Sequence, residues 1–301
     1  MKKILPFLLS CFLSVVVSAD DAQEFLLDIP SVDASMARAN GINVAYKVLG
    51  ESDDPTILMI MGLGGSHKLW GNDLPGRLVN AGYQVIVFDN RDVGQSQKFD
   101  EEGDPLMWWE GLKYAMGFDV NAPYDLNDMA ADSVGLLDTL ELEQVHVVGA
   151  SMGGMIAQVV AAQYPERVLS LTSIMSTPGF ADHLPPPGDL PITEGGDDES
   201  DSEEERAARL ESFGLHLDAM PRQIMAILKS GDRSEEVKTI SAPTLVIHGQ
   251  QDTLIKPEHG AYTAELIEDS EYIVYEEMGH NLPESVMPEL VSAMLDHMGS
   301  E

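Results

Sequence analysis

The chain has 301 residues, of which 17 are Lys or Arg and 51 are Asp or Glu, for a formal charge of −34 at pH 7. That balance excludes a nucleic-acid partner, because binding a polyanion takes a surplus of basic side chains to displace its counterions. An apolar share of 44% is ordinary for a globular protein and above that of a disordered acidic chain, so the sequence can bury a core.

The chain opens with Lys2 and Lys3, runs apolar from Ile4 to Val17, and reaches Ser18 and Ala19 before two aspartates. A charged head, a short apolar middle and a small-residue end make the pattern of a secretory signal peptide over residues 1–19. Cleavage is expected after Ala19, with a secreted or periplasmic destination. The run is interrupted by Pro6 and falls short of the roughly 20 residues a bilayer span needs, so no stable membrane insertion is expected after cleavage. An uncleaved anchor or lipidation at Cys11 is the alternative. Cleavage would remove this one cysteine, and with it any disulfide or thiol chemistry.

Ser35 to Ala39, the pair Asn40-Gly41, and Ile42 to Val48 read as a β-hairpin, because a two-residue type I′ turn needs residues that tolerate positive φ. The pattern then changes to short continuous apolar runs separated by helix-length segments: Thr56 to Met61, Gln84 to Asp89, Val145 to Gly149, Leu169 to Met175, Pro243 to His248 and Glu271 to Tyr275. Continuous hydrophobicity implies burial on both faces, so the expected fold is α/β, a doubly wound and mostly parallel sheet between helical layers. Asp125 to Leu140 reads as the amphipathic helix before the Val145 strand, with Met129, Val134, Leu136 and Leu137 facing inward. The sheet is expected from residues 20–179 and 239–301. Between them, residues 180–238 have no good strand, an acidic stretch from Glu194 to Glu205, and helical patterns at Arg206–Phe213 and Met220–Lys229. This part is expected to be a small helical lid with an acidic loop, over the sheet edge where ligands bind.

Gly149-Ala150-Ser151-Met152-Gly153 lies directly after the Val145 strand and directly before an apolar helix at Met155–Tyr164. A serine on such a sharp strand-to-helix turn needs small neighbours, and the turn lifts its hydroxyl clear of the sheet. The helix N-terminus and the Met152 amide then face whatever oxygen becomes negative. A serine hydroxyl is a weak nucleophile near neutral pH and needs a base with an orienting acid. Asp252 follows the Pro243 strand and His280 follows the Glu271 strand, which puts both at the same sheet edge as Ser151.

The serine turn and the order Ser, Asp, His resemble the α/β-hydrolase superfamily, over roughly Ala34 to His297. Ile60 to Gly65, Phe88 to Ser96 and Ile227 to Arg233 are similar to the branch containing aclacinomycin methylesterase-type enzymes. The resemblance implies Ser151 as nucleophile, His280 as general base and then acid, Asp252 as the group that holds the imidazole, and the amides of Leu63 and Met152 as the oxyanion hole. Many relatives carry His where this chain has Met61. A backbone donor survives that change, although a side-chain hydrogen bond in the loop is lost.

The reaction so implied is hydrolysis of a small-molecule carboxylic ester through an acyl-enzyme, with no cofactor. Serine at the turn argues against the haloalkane dehalogenase and epoxide hydrolase relatives, which use a carboxylate. Lactonase, thioesterase, iminopeptidase and cofactor-free perhydrolase chemistry would use the same three residues. A non-catalytic ligand-binding protein is the alternative of a different class. A lid-gated lipase is disfavoured by the acidic lid.

Other residues carry plainer expectations. His248 reads as packing beside the acid loop, and His67 as a pocket-lining or solvated loop residue. His146 belongs to a strand, and His183, His216, His259 and His297 lack metal-ligand spacing, so no metal is expected. Asn90, Arg91 and Asp92 follow the Gln84 strand in a turn closed by Gly94, and the resemblance implies that this turn braces the edge near the site. Trp70, Trp108 and Trp109 are candidate pocket walls or core filling. The acid excess itself reads as surface solubility, since the site needs only one carboxylate.

Overall fold

The computed structural model describes residues 33–181, 183–188 and 203–299. The expected signal segment at 1–19 and the acidic stretch at 194–202 lie outside the described residues. The hairpin forms as β1 (Ser35–Ala39) and β2 (Ile42–Leu49). Its turn residues Asn40 and Gly41 adopt φ of 46° and 80°, the left-handed geometry the pair was expected to supply.

The remaining strands are β3 (Thr56–Ile60), β4 (Gln84–Phe88), β5 (Val145–Ala150), β6 (Val168–Ile174), β7 (Thr244–Gly249) and β8 (Glu271–Tyr275). They form one sheet in the order β1-β2-β4-β3-β5-β6-β7-β8, antiparallel from β1 to β4 and parallel from β4 through β8. Alternate residues of each central strand feed opposite cores. Leu58 and Ile60 join one cluster while Ile57 and Met59 join the other, which is why the runs read as continuously apolar.

Helices α1 (Asp73–Asn80), α2 (Met107–Ala115), α3 (Leu126–Thr139) and α4 (Met152–Gln163) occupy the first part of the chain. Asp125 caps α3, its carboxylate accepting from the Asn127 and Asp128 amides while Asp128 returns a bond to the Asp125 amide. Helices α5 (Glu203–Ser212), α6 (Met220–Ser230) and α7 (Ser234–Val237) lie between β6 and β7, and α8 (Pro257–Leu266) and α9 (Met287–Met298) complete the chain. The α5 helix begins at Glu203, so residues expected at the end of the acidic loop are helical instead, as the good helix propensity of Glu allows. Helices α3, α4 and α6 line the core that includes Leu58, and α1 and α9 line the core that includes Ile57. No described helix is long and apolar enough to cross a membrane.

Candidate active site

The sharp turn between β5 and α4 carries the nucleophile candidate. Ser151 sits at φ 57° and ψ −123°, a conformation rare for any residue but glycine. It is held there by its own backbone: its amide donates to the Ile174 carbonyl (2.9 Å), and its carbonyl accepts from the Ser176 hydroxyl (2.8 Å). The flanking glycines are steric requirements. A Cβ on Gly149 would strike the Gly153 carbonyl, and one on Gly153 would strike the Ile60 carbonyl at the end of β3. The turn, the helix start and the neighbouring strand therefore pack backbone against backbone.

The loops after β7 and β8 close on each other beside this turn. Gln250 donates to the Tyr275 carbonyl and Gln251 to the Met278 carbonyl, both at 2.9 Å, which sets the register between the acid and histidine loops. His280 bridges the two other candidates: its Nδ1–H donates to Asp252 Oδ2 (2.7 Å), and its Nε2 lies 2.9 Å from Ser151 Oγ. A carboxylate can only accept, so the proton sits on Nδ1, and the Nε2 lone pair faces the serine hydroxyl. The structure thus brings together all three residues singled out in the sequence.

Asp252 is surrounded by donors. Oδ1 accepts from the Leu254 and Ile255 amides, each at 2.9 Å, and Oδ2 faces both His280 and the His248 Nε2 (3.4 Å). Burial opposes its ionisation, but the hydrogen bonds from His248 and His280 outweigh it and hold the pKa down to about 2. His248 Nε2 also lies 2.7 Å from the Ile255 carbonyl, so it carries the proton, as a packing residue with a hold on the acid. A folded-state pKa below the ordinary 3.8 stabilises the fold fully above about pH 4, and that contribution disappears as pH falls toward about 2. Acid titration of the wild type is expected to show a loss of ~2 kcal/mol in this window, read by urea unfolding at each pH, on top of the general acid response.

The loop after β3 runs over the turn. A Cβ on Gly62 would lie 3.0 Å from the Ser151 Cβ. From Gly64 to His67 every amide has an acceptor: Gln223 Oε1 (2.7 Å), the Gly62 carbonyl (3.1 Å), the Gly214 carbonyl (2.8 Å) and Asp89 Oδ1 (2.9 Å). Among the described residues none is found for the Leu63 amide. The Met152 amide, at the first position of α4, has no acceptor within its helix. These are the two donors expected from the sequence, beside Ser151.

The bracing turn after β4 holds this loop. Asn90 Nδ2 donates to the Met61 carbonyl (2.8 Å), Arg91 makes a two-pronged pair with Asp132, and Asp92 accepts from Tyr124 and Arg222. Tyr124 is pushed upward by burial and by the Asp92 charge, so it remains a donor. His67 is not solvated: it is 4% exposed and bonded through Nδ1 to Asp89 at 2.6 Å. Burial alone would raise the Asp89 pKa, but the His67 ring and the Gln95 and His67 amides lower it.

The tryptophans divide between the core and the surface. Trp70 is 5% exposed within the core cluster that includes Met61 and Leu74. Trp108 and Trp109 are 61% and 44% exposed on α2, because that helix turns Glu110 and Gly111 inward. Glu110 is bound there to the Asn121 amide and Lys113. No group of His, Cys, Asp and Glu able to hold a metal is found among the described residues.

Sequence reasoning missed Gln223 and Arg222, which tie α6 to the loops after β3 and β4. A signal was present: Gln223 stands one helical turn before Ile227 and next to Ile224, a polar residue on the buried stripe of an amphipathic helix.

A mostly parallel sheet carrying a serine on a strained strand-to-helix turn, with His and Asp on later loops, defines an α/β hydrolase. The sequence profile of the alpha/beta hydrolase fold family matches residues 55–211, and the chain belongs to that family. It is 28% identical to a rhodomycin D methylesterase of Streptomyces peucetius, with 83% of this chain and 92% of that protein aligned. Among solved structures, an esterase from Exiguobacterium antarcticum superposes with a TM-score of 0.67 at 19% identity, covering 89% of this chain and 100% of that one. An enol-lactonase from Burkholderia xenovorans does so at 0.63 and 19%, covering 88% and 100%.

Proposed function

We propose that this hydrolase cleaves carboxylic esters of small molecules through a Ser151 acyl-enzyme. The observation that carries the reading is the continuous path Asp252–His280–Ser151, with hydrogen-bonding distances of 2.7 and 2.9 Å, ending on a hydroxyl held at positive φ. The methylesterase relative supports an ester as the substrate class.

In the first half-reaction Ser151 Oγ bonds to the ester carbonyl carbon while its proton passes to His280 Nε2. The carbonyl oxygen becomes an oxyanion facing the Leu63 and Met152 amides. His280, now an imidazolium, is stabilised by the ionised Asp252. Collapse breaks the bond to the alkoxy oxygen, which leaves with the His280 proton as the alcohol. Water then repeats the sequence: it gives a proton to His280, attacks the acyl carbon, and releases the acid as Ser151 recovers its proton. The chemistry uses only protons and acyl transfer, so this chain's own side chains and amides suffice for the cycle.

The test is turnover of 4-nitrophenyl esters of increasing acyl length beside a methyl ester, a lactone and a prolyl amide. Ester turnover that Ser151→Ala abolishes supports the reading. Turnover confined to the lactone or the amide reassigns the substrate class on the same three residues, and no turnover of any member by folded protein contradicts an ester hydrolase.

A further inference from the structure

The segment between β6 and β7 does more than border the site: its side chains and backbone hold the loop that presents Leu63. Gly64 is gripped on both sides. Its amide donates to Gln223 Oε1 at 2.7 Å, and its carbonyl accepts from the His216 amide at 2.7 Å. Ser66 adds a bond to the Gly214 carbonyl, and Gly65 bridges to Leu215 in antiparallel fashion. Glycine is required at both edges of this zipper. Gly64 has φ 66° and lies where a Cβ would come within 2.8 Å of Met220, while Gly214 has φ 100° and abuts Ser66 and Lys68.

Gln223 joins three pieces: its own helix and the loops after β3 and β4. It is 0% exposed, accepts from Gly64 with Oε1, and donates with Nε2 to the Arg91 carbonyl at 3.1 Å. Its two contacts lie in loops 159 and 132 residues away in sequence. Both ends of the amide are used, so its orientation is fixed, and nothing of its polarity is spent on solvent. The neighbouring Arg222 anchors the same helix turn to Asp92 through Nε (2.6 Å) and Nη2 (3.0 Å), which leaves α6 little freedom to slide.

We propose that Gln223 is a positioning residue for ester hydrolysis: by holding the Gly64 amide it fixes the Leu63–Gly64 peptide, and through the Leu63 Cα the adjoining Gly62–Leu63 peptide whose amide faces the oxyanion. The inference rests on the proposed acyl-enzyme reaction and names a residue that acts through Leu63 without touching substrate. Its effect should appear in the transition state. The ground-state carbonyl gains little from the Leu63 donor, whereas the tetrahedral oxyanion needs it, and displacement of a catalytic group by about 1 Å typically costs on the order of 10²-fold in rate.

The experiment compares wild type with Gln223→Met, which keeps the length and removes both hydrogen bonds, and Gln223→Glu, which keeps an acceptor for Gly64. Turnover of 4-nitrophenyl butyrate is measured beside inhibition by a trifluoromethyl ketone, whose serine adduct carries an oxyanion. For Gln223→Met, kcat is expected to fall roughly 10- to 100-fold with KM within threefold, and the inhibition constant to rise by a similar factor. Gln223→Glu should retain more activity than Gln223→Met. A kcat within twofold of wild type, or a loss carried entirely by KM, overturns the proposal. Thermal melts identify which variants are folded. A structure of the wild-type adduct decides independently of any variant: the oxyanion should lie about 3 Å from the Leu63 nitrogen with the Gln223–Gly64 bond intact, and an oxyanion held elsewhere overturns the proposal. If Ser151→Ala keeps full ester turnover, the acyl-enzyme reading fails first; if it is inactive and Gln223→Met is not, the positioning role alone fails.

Discussion

Replacing Ser151 with alanine is expected to lower kcat for a 4-nitrophenyl ester by on the order of 10⁴- to 10⁶-fold, with KM changed by less than about threefold. The substitution removes Oγ and leaves the turn. The bonds that hold residue 151 at φ 57° run through its amide to Ile174 and through its carbonyl from Ser176, and both survive in alanine. The Cβ that lies against Gly62 is also retained. The Leu63 and Met152 amides stay in place, so any residual rate reflects oxyanion stabilisation of attack by water. A thermal midpoint within a few degrees of wild type would show that the loss is chemical. Activity within tenfold of wild type would remove Ser151 from the reaction.

Exchanging Asp252 for asparagine is expected to cost about 10⁴-fold in kcat. Every group facing this carboxylate is a donor: the Leu254 and Ile255 amides at Oδ1, and His280 and His248 at Oδ2. An asparagine must turn its NH₂ toward one side or the other, and either choice sets donor against donor in a buried place. The backbone amides cannot reorganise, but His280 can. Moving its proton from Nδ1 to Nε2 relieves the clash and leaves no lone pair to receive the Ser151 proton. The same variant should lose the acid-dependent stability step between about pH 4 and about 2 that the ionised Asp252 supplies. Paired kinetics and pH-dependent unfolding therefore check one assignment twice, and a variant with wild-type kcat would contradict it.

Much of the site could be read from the sequence because its geometry is local. Ser151, Asp252 and His280 each stand just beyond the end of a strand, and a parallel strand delivers its C-terminal residue to one edge of the sheet whatever the intervening chain does. The strand cores were legible for a related reason: Thr56–Ile60 and Val145–Ala150 are buried at every position, and apart from Thr56 and His146 their residues are apolar or glycine. The hairpin was set by the backbone freedom of Asn40-Gly41.

What escaped the sequence depends on tertiary contact. The polar Gln223 on the buried stripe of α6 marks the need for a partner, but neither Gly64 as that partner nor the Arg222–Asp92 pair can be read locally, because the partners lie more than a hundred residues apart. His67 could not be placed, since its burial depends on Asp89, which arrives from the end of the next strand. Trp108 and Trp109 could not be assigned to wall or core from the sequence, because the face their helix turns inward carries Glu110, whose partner Asn121 lies beyond the helix. The charge of −34 is a property of the whole chain and points to no single residue of the site.

The most direct test of the account is reaction of the folded, full-length protein with a fluorophosphonate, followed by intact mass and peptide mapping. The phosphorus would bond to Ser151 Oγ as fluoride leaves, with His280 taking the proton. The account predicts one phosphonyl group per chain, located on Ser151 and absent from the Ser151→Ala protein. A folded wild type that takes up no label, or carries it on another residue, would contradict the claim that Ser151 is the activated nucleophile.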